Sequence, residues 1–147
     1  MSKLRRRAAL AAGLLALFAA LVFLRLRLFT LGDLETFLGA PLPAGAADVQ
    51  MATRTPFGRI VWLRFTLPPD GDASAYAAVL GLDAPLRAGF TPFPAPNYTE
   101  ADLTWWTPYE AAAFSGLYAI HDDRVYELLA DQSDPARLVI YLRVYEL

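Results

Sequence analysis

Residues 58–67 read Gly-Arg-Ile-Val-Trp-Leu-Arg-Phe-Thr-Leu, and their spacing sets the class of fold. Val61, Leu63, Phe65 and Leu67 alternate with Ile60, Trp62, Arg64 and Thr66. Successive side chains of a strand point to opposite faces, so this period of two predicts a strand with one face buried. Pro68-Pro69-Asp70-Gly71 closes it with turn-forming residues. Further along, residues 117–120, 124–130 and 137–146 carry the same signal and predict an antiparallel meander, joined by His121-Asp122-Asp123 and by the polar stretch 131–136. In the last of these strands Leu138, Ile140, Leu142 and Val144 face one way, and Val139, Tyr141, Arg143 and Tyr145 the other. That second face is semi-apolar, so it is either partly covered or a contact surface. A weaker strand over residues 48–53 places Val49 and Met51 on one face.

Helical signals are short. Thr30 as N-cap, Asp33 and Glu35 near the positive end, and Gly39 with Pro41 as a stop predict a helix over 30–38. Asp72 as N-cap and Gly81 as a stop predict another over 72–80. Residues 83–97 hold four prolines mixed with Phe90 and Phe93, an ordered loop whose aromatic residues seek burial. Trp105-Trp106-Thr107-Pro108 follows, and residues 109–114 are open between helix and strand.

The amino-terminal end has a different character. Residues 8–24 contain only Ala, Leu, Val, Phe and one Gly, preceded by Lys3, Arg5, Arg6 and Arg7 and followed by Arg25 and Arg27. With flanking arginines that snorkel, such a run is long enough for a transmembrane helix. The bulky Leu-Arg-Leu-Arg-Leu-Phe that follows lacks the small residues of a cleavage site, which favours an uncleaved signal anchor over a cleaved signal peptide or an interfacial helix. The excess of basic residues before the run predicts a single-pass protein of the cell membrane, its N-terminus cytoplasmic and its C-terminal domain extracytoplasmic.

Composition narrows the chemistry. There is no cysteine, which excludes disulfides, thiolate catalysis, zinc ribbons, iron–sulfur ligation and a lipidated cysteine anchor. Before residue 30 stand six basic residues and no acid; the rest of the chain sets seven basic residues against all 15 acidic ones. An acidic domain repels phosphate backbones, so nucleic acid is not an expected partner.

The expected organisation is therefore a cytoplasmic basic tail and signal anchor over 1–29, then one α+β domain over 30–147. That domain holds an antiparallel sheet of about four to five strands and two to three short helices. Its expected contacts are the lipid bilayer through residues 8–24 and another protein of the bacterial cell envelope, with no cofactor.

Few residues suggest chemistry. His121 beside Asp122 and Asp123 lies in a hairpin loop, where three adjacent side chains diverge rather than converge on an ion. Asp131, Ser133 and Asp134 begin like a calcium loop but lack its glycine and its bidentate glutamate, with Ala136 and Leu142 in those places, and read as a turn. Trp105 and Trp106 carry more weight. Near Glu100, Asp102 or Glu110, adjacent tryptophans in a groove would stack on a sugar or peptide, while on a strand at least one would be core. With Phe90 and Phe93 they form the candidate partner or ligand contact. Tyr126, Tyr141 and Tyr145 read as sheet packing or a contact face. The reading is of a non-catalytic interaction domain. Its rivals are an assembly role played by the apolar N-terminal helix, and a hydrolase using an acid with His121.

Four segments together, Leu42-Pro43 through Asp48-Val49, Val61-Trp62-Leu63-Arg64-Phe65, Trp105-Trp106-Thr107-Pro108 and the hairpin over 126–145, resemble small bacterial membrane-anchored or lipoprotein-like domains of unknown function. The resemblance covers about 100 residues and implies no activity.

Overall fold

Six strands form one antiparallel sheet: β1 (Ala47–Arg54), β2 (Ile60–Leu67), β3 (Arg87–Ala88), β4 (Phe114–His121), β5 (Arg124–Asp131) and β6 (Leu138–Glu146). Their order across the sheet is β1-β2-β6-β5-β4-β3. The structure is a computed structural model and describes residues 13–18, 30–55, 58–96 and 98–147, the Tyr98 side chain excepted. The chain divides into two compact units, Met1–Phe37 and Leu38–Leu147, and the sheet lies wholly in the second.

Among the described residues, besides the helical residues 13–18, one helix precedes β1 and another lies between β2 and β3. In α1 (Leu31–Leu38), the Asp33 N–H donates to Thr30 Oγ1 (3.2 Å) and the Thr30 N–H donates back to Asp33 Oδ2 (2.9 Å), a reciprocal cap that satisfies two free donors. In α2 (Ala73–Val79), Asp72 Oδ1 accepts from the N–H groups of Ser74 and Ala75. Single 3₁₀ turns occupy Tyr98–Glu100 and Pro108–Glu110.

The expected α+β fold class is corrected in two respects. The sheet has six strands instead of four to five, because β3 is only two residues long and leaves no periodic signal. The transmembrane helix expected over 8–24 is also corrected: among the described residues no helix is long and apolar enough to cross a membrane. Of that run only residues 13–18 are described; they are helical, with Leu14, Leu15, Leu17 and Phe18 exposed. The remainder of the run lies outside the described residues. The membrane, signal-anchor and single-pass readings are left without support.

The central strands are buried on both faces, not one. Every residue of β5 from Val125 to Ala130 is buried, and so are Val61, Trp62, Leu63, Phe65, Thr66 and Leu67 in β2. On one face α2 packs, with Tyr76 edge-on to Phe65 at 5.4 Å between ring centroids. On the other face Trp62, Leu129, Val139 and Tyr141 meet Phe93 and Trp106 from the largely irregular segment between β3 and β4. This segment has no period to announce that it covers a sheet, and so β2 read as half-exposed. At Gly116 the covering chain comes so close that a Cβ would stand 2.5 Å from the Phe90 carbonyl oxygen.

The two outer edges differ. In β1 a bulge between Ala47 and Gln50, with Asp48 at φ 50°, interrupts the ladder to β2 and breaks the simple alternation expected of Val49 and Met51. β4 continues instead into a two-residue hairpin turn at Asp122 and Asp123, both at positive φ (48° and 59°), where short polar side chains are tolerated.

Candidate functional site

Strand register carries three chemically unlike residues into one row. Trp62 on β2 pairs with Arg143 on β6, and Arg143 pairs with Glu127 on β5. Directly paired residues of an antiparallel ladder share a face. All three therefore lie under the segment between β3 and β4, whose turn Tyr98–Glu100 lowers Glu100 onto them.

Glu100 is the hub. The Trp62 indole N–H donates to Glu100 Oε1 at 3.2 Å, Arg143 Nη1 donates to the same oxygen, and the Tyr109 hydroxyl donates to Glu100 Oε2. Arg143 Nε donates to Glu127 Oε2, so the guanidinium is clamped between two carboxylates. The side chains are only 3% (Glu100), 7% (Glu127) and 14% (Arg143) exposed. The Arg143 guanidinium also lies 5.2 Å from the centroid of the Phe93 ring, within range of a cation–π attraction. One guanidinium is thus shared by two largely buried carboxylates.

The electrostatics follow from that arrangement. Burial opposes the Arg143 charge, but its hydrogen bond to Glu127 and the charges of Glu127 and Glu100 outweigh it, and the pKa lies above the usual arginine value. Burial, then the hydrogen bond and charge of Glu100, push the Tyr109 phenol far above the usual tyrosine range, against smaller opposing pulls from Trp106 and Arg143. Tyr145 is raised by burial first, then by the Glu127 charge and by Tyr118.

These phenols make stability depend on alkaline pH. Below about pH 10 both folded and unfolded chains keep their phenolic protons, and the contribution is complete. Above it the unfolded chain, with the lower pKa, releases protons first, so stability falls as pH rises. Urea midpoints taken from about pH 8 to about pH 11 should decline, and the decline should be shallower in Tyr109→Phe. A level midpoint across that window in the parent protein would contradict the assignment.

Beside the hub opens a groove of about 440 Å³, its walls including Pro96, Leu103, Trp106 and Tyr109, with Glu100 and Glu110 supplying carboxylates. A second hollow of about 360 Å³ lies between Pro41–Ala44 and α2 and is mostly apolar; its one carboxylate, Asp72, is engaged as the α2 cap. Trp106 is buried, edge-on to Phe93 (5.2 Å), Tyr141 (5.4 Å) and Trp105 (5.9 Å). Its indole N–H makes no well-formed hydrogen bond.

The four aromatic residues singled out in the sequence separate. Phe93 and Trp106 join the core, and Trp106 also forms groove wall. Trp105 is half-buried against Trp106. Phe90 is half-buried elsewhere, under the Arg87 guanidinium at 3.8 Å from its ring centroid. Of the nearby acids, Glu100 is the buried hub, Glu110 is exposed at the groove, and Asp102 pairs with Arg54 on the surface.

Tyr126 faces away from Tyr141 and Tyr145, since it pairs with Val144 on the opposite face of β6. His121 stands 3.3 Å from Asp122 at the hairpin turn. Asp131 accepts from the Ser133 N–H at 2.9 Å, while Ser133 Oγ accepts from the N–H groups of Ala112 (2.8 Å) and Ala113 (3.1 Å), so this acidic loop pins the segment before β4. Among the described residues no three or more His, Asp and Glu side chains cluster closely enough to hold a metal ion.

Glu127 and Arg143 were not singled out in the sequence. Their only signal is that each is a lone charge inside an apolar strand, and their meeting depends on the β5–β6 register. No protein-family model, no curated protein and no solved structure matches the chain.

Proposed function

We propose that the Leu38–Leu147 unit is a non-catalytic binding domain whose groove beside Trp106 and Tyr109 takes the cationic end of a basic side chain on a peptide. The observation that carries this reading is the groove itself, lined by aromatic Trp106 and Tyr109 together with the carboxylates Glu100 and Glu110. Aromatic walls attract cations through their negative faces. The volume lies within the roughly 300–1,000 Å³ usual for small-ligand sites. Glu100 accepts from Trp62, Arg143 and Tyr109 and Glu127 holds Arg143, so both carboxylates tie the cover to the sheet.

The test is a titration of the protein with N-acetyl-arginine amide, followed by tryptophan fluorescence, alongside N-acetyl-glutamate amide. Saturable change is expected with the arginine probe alone, weaker in Glu110→Gln and weaker at high salt. An equal response to both probes, or none to either, would remove the proposal.

A further inference from the structure

The groove beside Trp106 and Tyr109 abuts β1, the edge strand at the far side of the sheet from β3. Glu100, in the groove wall, accepts from the Trp62 indole, and Trp62 pairs with Ala52, so the groove lies over β2, one strand in from that edge. Asp102, between the groove residues Ala101 and Leu103, holds Arg54 at the end of β1, and Leu103 and Ala52 pack against the same core cluster.

Backbone parity decides which groups β1 offers. The Glu146 N–H donates to the Arg59 carbonyl at 3.2 Å, one step beyond the Ile60–Tyr145 pair, so Arg59 and every second residue after it turn their backbone groups toward β6. Ile60, Trp62 and Arg64 therefore turn theirs toward β1, where they meet Arg54, Ala52 and Gln50. The N–H and C=O of Met51 and Thr53 are left facing outward, and among the described residues no hydrogen bond reaches them. Neither neighbouring stretch of chain runs along this flank. Before β1 the Ala46 N–H closes a turn on the Pro43 carbonyl and Gly45 lies against Pro68 at the end of β2, and after Arg54 the chain enters β2. None of the eight residues of β1 is buried.

Resting on the reading of the groove as a site for a basic side chain, we infer that its ligand is an extended peptide segment that adds to β1 as a short antiparallel strand, with an arginine opposite Ala52. An unpaired edge is a template for such an addition. The register follows from the side chains. Directly paired residues share a face, so only a residue opposite Gln50, Ala52 or Arg54 points to the groove side. Gln50 and Arg54 fill their own places with long side chains, bonded to Arg64 (3.1 Å) and to Asp102, whereas the small Ala52 lets an arginine cross toward the groove. The residues on either side of that arginine then stand opposite Met51 and Thr53 and exchange hydrogen bonds with them. Asp102 and Glu110, both exposed carboxylates, attract the cation on its way. The bulge before Gln50 ends the regular ladder and limits the addition to a few residues, which suits a peptide rather than the edge of a second sheet.

The test sets N-acetyl-arginine amide beside the peptide acetyl-Thr-Val-Arg-Val-Thr-amide, each titrated into the full chain and followed by tryptophan fluorescence and by amide hydrogen exchange. The peptide should bind at least about tenfold tighter through its added backbone bonds. N-methylation of either valine removes an N–H that faces Met51 or Thr53 and should cancel most of that gain. N-methylation of the arginine, whose N–H points away from β1, should leave the affinity within about twofold. The Met51 and Thr53 amides should exchange more slowly in the complex, while those of Gln50 and Ala52, already in the ladder, should keep their rates. If the single residue binds and the peptide binds no tighter, the strand addition is wrong and the reading of the groove stands. Tighter binding without slower exchange at Met51 and Thr53 would put the peptide elsewhere and overturn the inference. If neither ligand binds, both readings fall.

Discussion

Replacing Arg143 with alanine should lower the unfolding free energy by about 3–5 kcal/mol, the usual loss when one partner of a buried ion pair is removed. The guanidinium donates to both Glu100 and Glu127, and all three side chains are largely withdrawn from water. Without it two carboxylates remain buried on one face of the sheet with no cation between them. The loss should appear as a shift of the guanidinium chloride midpoint at constant slope. The comparison that isolates charge from packing is Arg143→Met combined with Glu100→Gln and Glu127→Gln. Removing the whole group in favour of neutral side chains of similar size should recover most of the stability. If Arg143→Ala loses less than about 1 kcal/mol, the value of an exposed pair, water must reach the group and the description of a sealed network is wrong.

Trp106→Ala should be of similar size, about 3–5 kcal/mol, as for other buried aromatic residues truncated to alanine. Trp106 makes edge contacts with Phe93, Trp105 and Tyr141 and joins the loop segment to the sheet. Its neighbour Trp105 is half-buried and touches that cluster from outside, so Trp105→Ala should cost less than half as much. Thermal unfolding of the two variants side by side decides the point. Equal losses would mean that the two rings share the core, and a larger loss at Trp105 would reverse their roles.

The contrast between these two predictions shows where the sequence is informative. β2, β5 and β6 announce themselves because their side chains repeat with the pleat, and α2 because Asp72 and Gly81 bracket it. β3 cannot, since Arg87 and Ala88 are too few to repeat anything. The cover over Trp62 and Tyr141 is equally silent: it is built from Phe93 and Trp106 on irregular backbone, held by 3₁₀ turns and by Ser133. The tryptophan pair lies in a turn and not on the strand that would have forced one ring inward, and Trp106 is the one that is buried. The meeting of Glu100 with Arg143 is different in kind. It joins residues 43 apart in sequence through a sheet register and an irregular turn, and neither is encoded in any local spacing. A membrane span over residues 8–24 was the reverse case, a loud compositional signal that the described helical residues do not bear out.

The pairing of β2 with β6 has a consequence in time. β2 ends at Leu67, yet its neighbour begins only at Leu138, so the middle of the sheet joins segments made early and late during synthesis. Until β6 has emerged, β2 can hold only β1, and β5 only β4, two separate hairpins each with a bare flank where the last strand belongs. Such hairpins are marginal alone, and their open flanks are the kind of surface that pairs with the wrong chain. Folding must therefore wait for one late insertion, which closes both ladders in the same event and makes acquisition of the core nearly all-or-none.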